Sequence, residues 1–156
     1  MPLSVRVRRL GYRIAFRLLQ ALWFVRRPRK SGVKCLITSG GRILLVRHTY
    51  GARCWDLPGG AIKRGEPPLD AARREMQEEL GIGSAAWRAA GELRGSDNFR
   101  HDVIHCFRAE LPEPTVRPDP VELAMTQWFA PDALPSDLAH YVRPVLDQAL
   151  PATGGI

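Results

Sequence analysis

Apolar residues recur along this chain at two different periods, and the two periods divide it into helices and strands. Near the N-terminus, Arg6, Arg9, Arg13 and Arg17, joined by Gln20, line one narrow face of a predicted helix. Leu10, Ile14, Leu18, Leu19, Leu22, Trp23 and Val25 spread over the remainder of its surface. Val33 to Thr38 reads as a strand, Ser39-Gly40-Gly41 as a turn, and Arg42 to Arg47 as the second strand of a hairpin. His48 to Arg53 is a polar loop. Leu69, Ala72, Met76 and Leu80 then return at helical spacing and predict a helix with one stripe toward a core. Pro67 and Pro68 suit its first turn, where a missing N–H costs nothing, and Gly81 is its C-cap.

Beyond that helix, Ala86 to Leu93 and Asp102 to Ala109 read as strands joined by a polar turn at Gly95 to Asn98. Leu111 to Pro120 carries four prolines and reads as a loop, followed by a short strand from Ala124 to Ala130. Ser136 is placed to cap a last helix running through Leu150, with Pro144 expected to kink or break it. No internal repeat interrupts this order.

Length and charge refine the picture. A chain of 156 residues has material for one domain with a sizeable core. Its formal charge of +7 is unevenly spread: residues 1–30 hold nine Arg or Lys and no acid, and residues 31–156 hold 14 basic and 16 acidic residues. The chain therefore divides into a basic amphipathic arm, residues 1–31, and a slightly acidic body, residues 32–156. The high pI belongs to the arm and does not argue for nucleic-acid binding by the whole domain. Arg13 and Arg17 interrupt any apolar run, so the arm is neither a membrane span nor a good signal peptide. Two readings stand: a helix lying on an anionic membrane surface with Trp23 and Phe24 at the interface, or a helix packing its wide apolar side on the domain or on a second subunit, as in a homodimer. A transit peptide would be richer in Ser. Arg26, Arg27, Arg29 and Lys30 around Pro28 read as a short basic linker. Cys35, Cys54 and Cys106 are odd in number and form no Cys-x-x-Cys pair, which fits reduced, mostly buried thiols in a cytoplasmic protein and disfavours a zinc site.

The chemistry concentrates between Gly60 and Ile82. On the central helix, Glu75, Glu78 and Glu79 fall on neighbouring positions of one face, and like charges so placed cost a few tenths of a kcal/mol per pair. Such an acidic face is either simply solvated or suited to a hard divalent cation, which binds through carboxylates, waters and substrate phosphates.

The surrounding residues decide between these. Gly60, Glu66, Arg74, Glu75, Glu78, Glu79 and Gly81, with apolar Met76 and Ile82, match every position of the Nudix box, Gly-x5-Glu-x7-Arg-Glu-U-x-Glu-Glu-x-Gly-U, where U is apolar. Seven fixed positions coincide by chance with a probability of about 10⁻⁸ per start site at average residue frequencies. Trp55-Asp56-Leu57-Pro58-Gly59-Gly60 is similar to the approach these proteins commonly show before the box, and Asp132 to Pro135 resembles their turn before the last helix. The resemblance covers residues 32–135.

What the resemblance implies is specific. The fold is an α/β/α sandwich with a mixed β-sheet, preceded here by the basic amphipathic helix. The activity is Mg²⁺-dependent hydrolysis, with Mn²⁺ as substitute, of a diphosphate bond in a nucleoside diphosphate linked to another group or in a (deoxy)nucleoside triphosphate. Glu75, Glu78 and Glu79 become metal ligands, with the Gly59 carbonyl as an extra one. Arg74 holds the glutamates, and Glu66 braces the loop or joins the metal shell through water. Glu122 stands where some members recruit an acid from outside the box, and is otherwise a solvated loop residue. The base is Glu75 or Glu78, or else none is needed beside a metal-held hydroxide. Arg47, Arg53, Lys63 and Arg64 flank the box and are either phosphate contacts or surface cations; of the four histidines His48 lies nearest. The proline associated with ADP-ribose hydrolysis is missing. Phe99 replaces the tyrosine associated with diadenosine polyphosphates; it either stacks a base or belongs to the core. Two alternatives remain, a catalytically silent nucleotide-binding module and an enzyme removing pyrophosphate from RNA 5′ ends, the latter using the basic arm for phosphate contacts.

Overall fold

The two-sided burial of the first strand places it at the centre of the sheet. In the computed structural model, which describes residues 3–26, 29–97 and 100–150, β1 (Arg29–Ser39) buries Val33, Cys35 and Ile37 on one face and Leu36 on the other. β2 (Arg42–His48) repeats the pattern, with Leu44 and Val46 on the first face and Ile43 and Leu45 on the second. A strand apolar on both faces needs a helix layer on each side.

Those layers are α2 (Pro68–Leu80) and α3 (Val142–Ala149). Ala71, Ala72, Met76 and Leu80 of α2 close the first core, and Val142, Val145, Leu146 and Ala149 of α3 close the second with Trp55 and Leu57. Each fully buried Leu or Ile contributes about 1.5–3 kcal/mol relative to exposure. The remaining strands are β3 (Arg88–Asp97), β4 (Arg100–Glu110) and β5 (Leu123–Phe129), and the five-stranded order is β3-β4-β1-β2-β5. Only the β1–β4 pairing is parallel, so the sheet is mixed. The sandwich expected from the sequence is the one observed.

Several boundaries differ from expectation for identifiable reasons. β1 begins at Arg29, so Arg29 and Lys30 are strand residues paired with His101 and Asp102, and not linker. Gly95, Ser96 and Asp97 are paired with Asp102, His101 and Arg100 and extend β3 where a turn was expected; Asn98 lies outside the described residues. The last helix starts at Val142, not Ser136, because the backbone of residues 137–139 is engaged elsewhere. The Trp55 N–H donates to the Asp137 carbonyl at 2.8 Å, and the Ala139 N–H donates to the Trp55 carbonyl at 2.8 Å. Pro144 is therefore the third residue of α3, inside the first turn, where its missing N–H breaks no intrahelical bond.

The N-terminal helix α1 (Leu3–Arg26) is present and lies against the body by an unexpected side. Arg9 donates from Nε to the Pro120 carbonyl at 2.7 Å, and Arg13 donates from Nε to the Thr49 carbonyl at 3.0 Å. Between them the Tyr12 ring stacks on Tyr50 with centroids 6.0 Å apart, and the Phe16 ring lies 5.4 Å from the same ring. The apolar residues Val7, Leu10, Ile14 and Leu18 point outward and are 53–68% exposed. The expectation that the wide apolar side packs on the domain is thus reversed, because backbone carbonyls offer the arginines acceptors that leucines cannot use. The side chains of Arg6, Trp23 and Phe24 lie outside the described residues. Among the described residues, no helix is long and apolar enough to cross a membrane.

Candidate active site

The site is built where the chain passes between β1 and α2, and two glycines make that passage possible. Gly59 is buried with φ 146°, and a Cβ there would be driven into the Val33 carbonyl, 2.9 Å from its carbon. A Cβ on Gly60 would stand 2.6 Å from Glu75 Oε1. With no side chains in the way, the turn is pinned to β1. The Val33 N–H donates to the Gly60 carbonyl and the Cys35 N–H to the Pro58 carbonyl, each at 2.9 Å. The Gly59 N–H then reaches Glu79 Oε2 at 3.1 Å.

Arg74 organises the acidic face. Its guanidinium grips Glu66 by two parallel bonds, Nε to Oε1 at 2.7 Å and Nη2 to Oε2 at 2.9 Å. Nη2 also donates to the Ala61 carbonyl at 3.0 Å, and Nη1 to Glu75 Oε1 at 2.7 Å and Glu78 Oε2 at 3.2 Å. Five contacts match the five donors of an arginine. These bonds, with a further 2.8 Å bond from the Lys63 N–H, hold the Glu66 carboxyl down to about 2.

The remaining carboxylates crowd the same spot. Glu79 is 1% exposed, and burial pushes it up to about 8 against the pull of Lys34 and the Gly59 N–H, with Glu75 and Glu122 adding repulsion. Glu122 is half-buried. Burial raises its pKa, the Tyr12 hydroxyl at 3.3 Å opposes the rise, and Asp119, Glu75 and Glu78 add to it. Gly81 closes α2 in the left-handed conformation, which directs the chain away from this face.

Neighbouring carboxylates that destabilise one another's charge have the donor chemistry of a hard divalent cation. Glu75, Glu78, Glu79 and Glu122 are the residues that could hold one. Among the described residues no three His, Cys, Asp or Glu side chains stand in a ready-made metal cage; Arg74 supplies the positive charge facing Glu75 and Glu78.

Not every sequence-derived candidate is brought here. Arg47 lies on the opposite face of β2, paired with Asp137 and with its guanidinium 4.7 Å from the Trp55 ring centroid. Strand alternation puts it with Ile43 and Leu45 on the α3 side, so the phosphate contact proposed for it from the sequence does not fit its position. Arg53 is exposed on the loop after β2, Lys63 and Arg64 are exposed on the turn before α2, and Phe99 lies outside the described residues.

Sequence reasoning missed a second polar cluster just behind the site. Lys34 Nζ bonds Asp56 Oδ2 at 2.8 Å and the Leu57 carbonyl at 3.0 Å, and the Tyr141 hydroxyl donates to the same Asp56 oxygen. Burial opposes the charge on Lys34, but Asp56 and then Tyr141 outweigh it, so its ammonium is held protonated beyond the usual lysine range. His48 stands between the two clusters, 4.0 Å from both Asp56 and Glu79, and burial followed by Lys34 pushes its pKa down to about 4. The one signal available was Lys34 itself, a lysine in the middle of a strand that is apolar on both faces.

Comparison with known proteins agrees with this geometry. A family model described as "NUDIX domain" matches residues 28–150. The chain is 32% identical over 88 residues to an ADP-ribose pyrophosphatase of Mycobacterium tuberculosis, covering 53% of this chain and 42% of that protein. It is 30% identical over 134 residues to an RNA pyrophosphohydrolase of Bartonella clarridgeiae, covering 71% and 78%. The crystal structure of a MutT NUDIX hydrolase from Burkholderia pseudomallei superposes with TM-score 0.71 and 34% identity over 77% of this chain and 97% of that one. The chain thus spans less than half of the first of these relatives and most of the other two. With a complete box on the expected helix, the expected sandwich around it and a family match across most of its length, the chain belongs to the NUDIX family.

Proposed function

We propose that this chain hydrolyses a diphosphate bond in a small nucleotide-type substrate, with Mg²⁺ or Mn²⁺ held by Glu75, Glu78 and Glu79 and adjoined by the Gly59 carbonyl and Glu122. The observation that carries the reading is the placing of Glu75 and Glu79 against the Gly59–Gly60 turn, with Arg74 bonded to Glu75 and Glu78 and with Glu79 and Glu122 both repelled by Glu75. A bound divalent ion supplies charge neutralisation at phosphate oxygens and a water of lowered pKa. The chain's own residues do the positioning. Arg74 sets Glu75 and Glu78 in register, and Glu66 fixes Arg74 in turn. Of the two base candidates, Glu78 is the one open to water: its side chain is 54% exposed against 13% for Glu75, and its bond to Arg74 is the longer. The names of the relatives, an ADP-ribose pyrophosphatase and an RNA pyrophosphohydrolase, support a pyrophosphate linkage in a nucleotide, and a nucleoside diphosphate linked to another group or a (deoxy)nucleoside triphosphate is the substrate class we assign.

The test is turnover of the full chain against a panel of nucleoside triphosphates, oxidised deoxynucleotides, nucleotide sugars, ADP-ribose, dinucleoside polyphosphates and 5′-triphosphate RNA, with Mg²⁺, Mn²⁺ or EDTA. Cleavage of one class should require the metal and fall at least ~100-fold in Glu78→Gln and Glu79→Gln, since loss of groups merely supporting a metal ligand already costs 10–100-fold. Unchanged turnover in both variants would remove the metal-site assignment. Silence across the panel from folded protein would favour the silent nucleotide-binding module.

A further inference from the structure

We infer that the outward face of α1 is a docking surface for an anionic lipid bilayer, a role separate from the hydrolase reading and independent of it. Helix α1 is used on both sides. Its inner side, through Arg9, Tyr12 and Arg13, is bonded to the Pro120 and Thr49 carbonyls and to Glu122. Its outer side carries Val7, Leu10, Ile14 and Leu18 at spacings of three, four and four, a single stripe that is 63%, 57%, 53% and 68% exposed. Four large aliphatic side chains in one exposed line are more than the scattered apolar residues of an ordinary surface.

The charge around the stripe selects the occupant. Helix α1 contains six arginines and no acid, and the first acidic residue of the whole chain is Asp56. Helical geometry sets Arg17 along one border of the stripe and Arg8 along the other, and both are exposed. An apolar stripe between arginines on a helix too polar to span is the pattern that lies in a bilayer interface, aliphatic side down and guanidinium groups among anionic headgroups. A second copy of the chain fits this face poorly. Two such helices in contact would bring two sets of arginines together with no carboxylate between them.

The position of the helix gives the surface a consequence for the site. The segments that α1 clamps, 49–50 and 120–123, carry Tyr50 and Glu122 at the rim of the acidic cluster. Seating the stripe on a bilayer therefore holds that rim one helix thickness, about 10 Å, above the lipid surface.

Co-sedimentation of the full chain with vesicles tests this. Wild type should bind vesicles of equimolar phosphatidylcholine and phosphatidylglycerol, and binding should weaken as salt is raised. It should not bind pure phosphatidylcholine. Leu10→Asp/Ile14→Asp should abolish the binding. Arg8→Ala/Arg17→Ala should lower it by roughly 25-fold, a factor of about five for each basic group near an anionic surface. Both pairs should keep the wild-type circular dichroism and the wild-type turnover measured without vesicles. Failure of wild type to bind, equal binding to the neutral vesicles, or undiminished binding by the folded variants would overturn the proposal. So would a dimer in solution that Leu10→Asp/Ile14→Asp converts to monomer, which would give the stripe to a second copy.

Discussion

One hydrogen atom in place of a methyl group decides whether the Gly59 turn can form. The residue has a φ that side chains avoid, and a Cβ would collide with the Val33 carbonyl of the neighbouring strand. Gly59→Ala should therefore cost ~3 kcal/mol or more in chemical denaturation, since positive φ and backbone overlap both penalise it. Glu66 tests the opposite case, a residue that acts through another. Glu66→Gln keeps the shape but removes the charge that fixes Arg74. Turnover and metal affinity should fall ~10–100-fold while the thermal unfolding midpoint barely moves, which metal titration and calorimetry would read separately. The box residues were legible because their spacing is local and helical. The facing of Arg47 is legible too, in the strand alternation that places it with Ile43 and Leu45. The partnership of Lys34 with Asp56 and Tyr141 was not, because nothing local in the sequence links residues 22 and 107 positions apart.

At the scale of elements, propensity was overruled wherever a segment had a better use for its backbone. Ser136 is a good cap with no helix behind it, because residues 137–139 bond to Trp55. That shift moves Pro144 from the predicted helix interior to the first turn. Pro144→Ala should consequently change stability by no more than about 0.5 kcal/mol. A stabilisation near 3 kcal/mol would instead mean that the proline sits in a helix interior after all. The strands and α2 were readable from their periods, and the sandwich followed from them. The facing of α1 was not readable, since an amphipathic pattern defines two sides of a helix without saying which meets the body.

Across the whole molecule, buried polar contacts tie the sheet to the layer that holds α3. Lys34 on β1, Asp56 after β2 and Tyr141 before α3 form one such tie, and the side chains of Lys34 and Asp56 are only 14% and 11% exposed. Lys34→Met would strand Asp56 without its cation, and a buried carboxylate left alone should cost ~3 kcal/mol or more. Urea unfolding would report it as a lower midpoint with an unchanged slope. Replacing Lys34 and Asp56 together by apolar residues should recover much of that loss.

The parallel pairing of β1 with β4 has a further consequence for how the molecule comes into being. From Arg29 with His101 to Thr38 with Glu110, every partner is 72 residues later in the chain. During synthesis the β1–β2 hairpin and α2 can leave the ribosome while β1 still has one open edge. Closing that long loop must be completed before the pairing repays it, which makes non-local parallel pairing a slow step. Until β4 arrives, the strand against which Gly59 and Gly60 are pinned has only one of its two neighbours. The acidic cluster should then be among the last parts of the protein to acquire its final geometry, although its residues on α2 are made well before the chain is complete.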